Sequence, residues 1–180
     1  MPTVAEVMFP IVKRAAEEMG LNTYQAILIY TQGVHESANY SSNVFRTDNN
    51  AFGMKLPRKR KSPYIVSRGL AAPSGESTKG DPYNYYAHYN SFSDSVKDLI
   101  HRQNYFGIKW DQVTTPEAYV EFCRKTGYFQ GSPTVYSNNV ASLVKSLGNM
   151  LAAGAQNVAT AIKDNSDGLT AVLIVTSFFF

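Results

Sequence analysis

The sequence predicts an α+β fold, mostly helical, with a small antiparallel β lobe set between helices. Three observations carry that prediction. Apolar residues recur at helical spacing behind good capping signals on both sides of residues 56–82. Those residues instead hold Pro57, Pro63, Pro73 and Pro82 with Gly69, Gly75 and Gly80, which mark loops and turns. After them Tyr83-Asn84-Tyr85-Tyr86-Ala87-His88-Tyr89 is aromatic-rich with partial period-two alternation, the pattern of a half-buried strand.

Taken in order, Thr3-Val4-Ala5-Glu6 fits a capping box and Gly20 a helix stop. Pro10 is expected to kink or split that helix, leaving residues 11–19 continuous. Thr23 can cap a second helix, on which Ala26, Ile27, Ile29, Tyr30 and Val34 give a broad apolar face. Gly33 inside it costs about 1 kcal/mol against Ala and predicts a close helix–helix approach near Glu36. Tyr64-Ile65-Val66 reads as a short strand pairing with residues 83–89, so the β lobe covers about residues 56–90. Ser91-Phe92-Ser93-Asp94 then caps a helix over residues 94–104, with Val96, Leu99, Ile100 and Gln103 at helical spacing. Thr115-Pro116 starts another that stops before Gly127, and Ser132-Pro133 starts a last one reaching about Leu151. Trp110, between helices, is expected to pack against the core.

Chain length sets the domain count. The 180 residues, 44% of them hydrophobic, fit one domain over residues 1–152 and a tail over 153–180. Ala, Gly, Asn, Asp and Ser dominate that tail as far as Gly168, and residues 169–180 are then strongly apolar. A transmembrane helix needs about 20 residues, so this end is too short to span a bilayer. It is also too apolar to stay in water, and is expected to dock on its own domain or on a protein partner. The charge balance, 17 Lys+Arg against 14 Asp+Glu, gives no strong field for nucleic acid. Pro57-Arg58-Lys59-Arg60-Lys61 looks like a nucleic-acid patch, yet such runs are common on solvated loops and would equally attract a polymer bearing carboxylates. A single cysteine, Cys123, excludes an intrachain disulfide and a Cys-rich metal site, and beside Phe122 it reads as a packed hydrophobe. No cofactor or metal is expected. The first residues lack a basic region followed by an unbroken apolar run, so no secretory signal is expected there.

The chemistry concentrates in residues 25–55. An apolar helix carries one acidic residue, Glu36, near its end, and a polar run over residues 37–43 follows. Burial disfavours the charged form of a carboxyl, so a Glu in this setting can keep a proton near neutral pH and act as a general acid. His35 lies about 100° round the helix from Glu36, and a structural role suits it better than a catalytic one. Glu36-Ser37 with Ser41-Ser42, followed by Asn49-Asn50-Ala51-Phe52-Gly53-Met54-Lys55, resembles the glucosaminidase family of bacterial cell-wall hydrolases, whose pattern reads E-S-G-x-G-x-S and then N-N-L-F-G-I-K. Residues 89–98, running from Tyr89 through Ser91 and Ser95 to Asp98, are similar to its Y-x-S-x-x-E-S-x-x-D. Thr126-Gly127-Tyr128 with Pro133 and Tyr136 is similar to A-G-Y-x-x-D-P-x-Y. The likeness covers roughly residues 1–150. Ala38 and Tyr40 stand where the family has Gly, and Ser132 where it has Asp. Gly takes φ > 0 freely and Ala or Tyr does not, so the shape of the turn after Glu36 is the open point of the resemblance.

The resemblance implies a lysozyme-like fold with the Glu36 helix and the β lobe as the two walls of a cleft. It implies a peptidoglycan hydrolase that cuts the glycan strand, an endo-β-N-acetylglucosaminidase with Glu36 as proton donor. A second carboxylate is implied in the β lobe; Glu76 matches best, with Asp81 and Asp48 behind it. The loop setting of Glu76 predicts mobility and water access, so it would serve as a base once substrate closes the lobe. Tyr128 would orient the sugar, Asn50 and Phe52 would shape the cleft floor, and Tyr89 would join them in binding substrate. The partners implied are peptidoglycan strands, and the place of action is the bacterial cell wall, as a phage virion or lysis component among other routes. A lytic transglycosylase or muramidase on the same fold is the first alternative. A non-catalytic wall-binding component of a phage tail or secretion apparatus is the second.

Overall fold

The computed structural model describes residues 3–73, 81, 83–128 and 133–164. Among the described residues six α-helices and one hairpin follow in the order α1 (Val4–Glu18), α2 (Thr23–Glu36), α3 (Asn43–Asp48), β1 (Ser67–Ala71), β2 (Tyr85–His88), α4 (Phe92–Tyr105), α5 (Pro116–Lys125) and α6 (Pro133–Asp164). A short 3-10 turn at Trp110–Gln112 joins α4 to α5.

Local signals explain most helix ends. Thr3 and Glu6 cap α1 reciprocally, the Glu6 carboxylate accepting the Thr3 N–H at 2.6 Å. Gly20, at φ +81°, closes it in a Schellman motif, with Leu21 N–H bonded to the Ala16 carbonyl and Gly20 N–H to that of Glu17. Pro10 does not split this helix. Proline deletes one intrahelical bond, and burial of Phe9, Val12, Ala15 and Ala16 holds α1 together across it. Asn22, not Thr23, caps α2: its side chain accepts from Gln25 N–H at 3.0 Å while Gln25 Oε1 accepts from Asn22 N–H at 2.9 Å. Ser91 caps α4, and Thr115 with Pro116 starts α5 as expected. The last helix runs beyond Leu151 to Asp164. Its alanines (Ala152, Ala153, Ala155, Ala159 and Ala161) favour helix, and Gly154 subtracts only about 1 kcal/mol. Residues 165–180, and with them the expected docking segment, lie outside the described residues. No described helix is long and apolar enough to cross a membrane.

α2 is the central helix, with nearly every residue from Gln25 to Gly33 buried. Ala26, Ile29 and Tyr30 join Phe9 and Val12 of α1, Val96, Leu99 and Ile100 of α4, and Phe52, Ala87 and Tyr89 in one core. Leu28 joins Tyr119, Val120 and Cys123 of α5 and Tyr136 and Val140 of α6 in a second. A helix covered on both sides has no water-facing stripe, and its Gln25, Thr31 and Gln32 are buried along with its apolar residues. The close approach at Gly33 comes from a side chain and not from another helix. A Cβ there would stand 2.6 Å from the Tyr40 hydroxyl.

The hairpin is antiparallel, pairing Ser67 with His88 and Arg68 with Ala87, with an irregularity between Arg68 and Ala71. Its first strand lies downstream of the expected Tyr64-Ile65-Val66. Tyr64 and Ile65 instead pack on the main core, the Tyr64 hydroxyl donating to Met19 Sδ at 3.3 Å, so the chain enters the sheet only after them. Two buried carboxylates tie the lobe to the helices. Asp98 of α4 takes both guanidinium nitrogens of Arg60 and the Tyr89 hydroxyl at 2.8 Å, with Arg60 also 2.9 Å from His101 Nδ1. Asp48, at the end of α3, accepts Leu70 N–H at 2.8 Å and faces His88 Nδ1 at 3.1 Å. Gly69 lies so close over Asp48 that a Cβ there would collide with the carboxyl group. Arg60 is therefore a buried structural cation, unlike the solvated loop residue its basic neighbours suggest.

Candidate active site

Glu36 is the last residue of α2, half-buried, where the helix meets α6 and the chain leaving α5. Among the described residues one hydrogen bond holds it: the Tyr136 hydroxyl donates to Glu36 Oε1 at 3.0 Å. Burial raises the Glu36 pKa, and the Tyr136 bond, which favours the anion, draws it back in part. Among the described residues Glu36 has no ion pair. A carboxyl raised by burial is biased to keep its proton, as a general acid requires.

Tyrosines surround it. Burial raises both the Tyr128 and Tyr136 hydroxyls, and the Glu36 charge adds to each. Both therefore stay protonated donors. Gly127, at φ +65°, closes α5 in a second Schellman motif, with Tyr128 N–H on the Cys123 carbonyl, and this swings Tyr128 back over the body. Its hydroxyl donates to the Phe52 carbonyl at 2.5 Å and the Arg102 guanidinium covers its ring at 5.0 Å. Tyr128 thus joins the α5 end to the turn carrying Phe52, beside Glu36.

Asn50 and Tyr89 have a different place. Asn50 is buried, donating to the Met54 and Ala87 carbonyls at 2.8 and 3.0 Å while accepting from Phe52 and Met54 N–H. Both its amide protons and its carbonyl oxygen are engaged within the protein. Tyr89 is fully buried, its hydroxyl on Asp98, so the first and last residues of the 89–98 motif meet inside the core. Phe52 is 2% exposed and stacks at 6.5 Å on Phe92. None of the three offers a free surface to a sugar in this conformation.

His35 is exposed and meets the Tyr136 ring edge-on at 4.6 Å. Trp110 packs on both cores, as its sequence position suggests. Cys123 is buried, its thiol pushed up to about 12 chiefly by burial, which leaves no nucleophile at neutral pH. Asp81 accepts from Arg58 and from Tyr83 N–H at 2.9 Å, and Asp48 is engaged as above, so both fallback carboxylates serve the lobe. Glu76 lies outside the described residues. No group of His, Cys, Asp and Glu among the described residues could hold a metal ion. Sequence reading assigned no role to Tyr136, although it closes the third motif; no spacing rule links it to Glu36 across a separation of 100 positions.

A helical body with a two-stranded lobe and a half-buried Glu at a helix end belongs to the lysozyme-like glycoside hydrolase class. Solved structures share the fold. The glycoside hydrolase domain of Salmonella typhimurium FlgJ superposes with a TM-score of 0.58 at 16% identity, over 90% of this chain and 97% of that one. A peptidoglycan hydrolase mutant from Sphingomonas sp. A1 gives 0.52 at 15% identity, over 78% and 90%. A chain of a type VI secretion system effector–immunity complex from Pseudomonas protegens gives 0.52 at 15%, over 79% and 96%. No curated protein matches the sequence. The glucosaminidase family, described as mannosyl-glycoprotein endo-beta-N-acetylglucosaminidase, matches residues 10–149, and the chain belongs to it. The protein is a glycoside hydrolase.

Proposed function

We propose that the protein cuts the glycan strand of bacterial peptidoglycan as an endo-β-N-acetylglucosaminidase, with Glu36 as the general acid. The observation that carries this reading is the Glu36 carboxyl itself, raised by burial and met by one neutral hydroxyl. The family supports the bond type. Among the structures of the same fold, one is named a peptidoglycan hydrolase, which supports the substrate class.

Glycoside cleavage needs a proton delivered to the leaving oxygen and a second group at the oxocarbenium-like carbon. Glu36 supplies the proton. With Oε1 held by Tyr136, its other oxygen is the one to face the glycosidic oxygen. The second group is assigned to Glu76 by resemblance alone. Tyr128 is assigned to orienting the sugar: its hydroxyl proton is spent on Phe52, and the hydroxyl oxygen can still accept from a sugar O–H. Asn50, Phe52 and Tyr89 act by holding the turn and lobe in place. The apolar tail segment is assigned to docking, on its own domain or on a protein partner, and the setting to a phage, lysis or secretion context.

The test is digestion of purified sacculi with identification of the fragment ends. The native enzyme is expected to release reducing N-acetylglucosamine ends, and Glu36→Gln to lose about 10²–10⁴-fold in rate while keeping the fold. Anhydro-muramic ends would make the enzyme a lytic transglycosylase. Full activity in Glu36→Gln removes Glu36 from the chemistry.

A further inference from the structure

The turn after Glu36 is built from residues that resist its shape. Ala38, Asn39 and Tyr40 take φ of +50°, +57° and +59°, three consecutive left-handed residues without a glycine. Each such residue costs roughly 1–2 kcal/mol, least for Asn, whose side chain tolerates the region. Something must hold the turn against that strain.

Part of the answer is local. Ser37 Oγ donates to the Gly33 carbonyl at 2.5 Å and accepts Tyr40 N–H at 2.8 Å, and Asn39 N–H reaches the Val34 carbonyl at 2.8 Å. The larger part is the Tyr40 side chain. It is buried, with ring centroids 5.2 Å from Phe92, 5.4 Å from Phe45 and 5.8 Å from Tyr30. Its hydroxyl donates to the Tyr30 carbonyl at 3.1 Å, and its tip fills the notch left by the missing Cβ of Gly33. The ring thus crosses back from the turn to α2, over the last turns before Glu36.

We propose that Tyr40 is a positioning residue for Glu36, a bolt seated in the Gly33 notch that holds the strained turn shut and so sets the direction in which α2 delivers its carboxyl. Gly33 and Tyr40 are then one device. The glycine is required by the tyrosine's hydroxyl, and the tyrosine by the turn. This rests on the reading of Glu36 as general acid.

The experiment compares Gly33→Ala, Tyr40→Phe and the double substitution Gly33→Ala with Tyr40→Phe, in kcat, KM and thermal midpoint on soluble glycan fragments. The nearest atom to a Cβ at position 33 is the hydroxyl oxygen that Tyr40→Phe removes. Gly33→Ala alone is expected to lower kcat by about tenfold or more with KM nearly unchanged, since a misplacement near 1 Å costs on the order of 10²-fold. The double substitution is expected to recover to within about threefold of Tyr40→Phe, the signature of two coupled sites. Gly33→Ala with native kcat, or a double substitution no better than Gly33→Ala, overturns the inference. If Gly33→Ala does not fold, Tyr40→Gly takes its place, since it frees both the strain and the bolt. A folded Tyr40→Gly with low kcat and native KM supports the proposal, and one with native kcat overturns it. Glu36→Gln run in parallel separates the two levels. If it is active, the reading beneath fails; if it is inactive while Gly33→Ala is native, only the bolt fails.

Discussion

Glu36 and Asp98 are both carboxylates taken out of water, and the protein treats them in opposite ways. Asp98 is fully buried and saturated: a two-nitrogen contact with Arg60 and a hydroxyl from Tyr89. Glu36 is half-buried and meets, among the described residues, one tyrosine hydroxyl, and burial lifts its pKa. The difference teaches where each can be used. A carboxylate paired to a guanidinium holds two elements together. A carboxyl denied a cation is poorly suited as glue and well suited to proton transfer. The lobe side of the molecule is held by the first kind, and the proposed chemistry rests on the second.

Matched amide substitutions should break that comparison if it is wrong. Asp98→Asn strands the buried Arg60 charge and is expected to cost about 3–5 kcal/mol, read as a lower denaturant midpoint with unchanged slope. The second strap is weaker, because His88 is partly exposed. Asp48→Ala should lose about 1–3 kcal/mol, chiefly from the unpaired Leu70 N–H, with early exchange of hairpin amides as the check.

On the Glu36 side the signs reverse. Ala38→Gly removes left-handed strain and should stabilise by about 1 kcal/mol, visible as a raised thermal midpoint. Glu36→Gln should also stabilise at neutral pH. Below the ordinary carboxyl value the folded and unfolded chains both hold the proton, so the native protein suffers no penalty there. As pH rises through the raised folded value, the native carboxyl ionises in a poor environment and stability is lost. The amide never ionises, so its advantage should close on acidification; an advantage independent of pH counts against the assignment. The smallest effect sharpens the comparison most. Tyr136→Phe removes a bond that favours the Glu36 anion, so the alkaline limb of the pH–rate profile should move to higher pH.

The helices were legible in the sequence wherever a short-range rule fixes them. Thr3 with Glu6, Ser91, Thr115 with Pro116, and the glycines at 20 and 127 act within one turn, so their spacing is the evidence. The Glu36 setting was legible for the same reason. What escaped depends on distance along the chain. The first strand moved because Tyr64 is held by Met19 on α1, and Arg60 vanished from the surface because Asp98 waits on α4. Asn50 and Tyr89 carry motif positions, which say that a residue matters without saying that it touches substrate. Only their saturated partners reveal that they hold the frame. The turn after Glu36 keeps a left-handed path without its glycines, since the aromatic cluster around Tyr40 outweighs a backbone preference of roughly 1–2 kcal/mol per residue.

The Tyr136–Glu36 contact joins residues 100 positions apart. Contacts of such long range close late in folding, because loop entropy must be met before they stabilise anything. A chain still emerging from the ribosome, with α6 inside the exit tunnel, carries Glu36 uncovered and without its hydroxyl. For a hydrolase whose proposed acid takes its raised pKa from burial, that setting is complete only once α6 has packed onto α2, after the whole domain has been made.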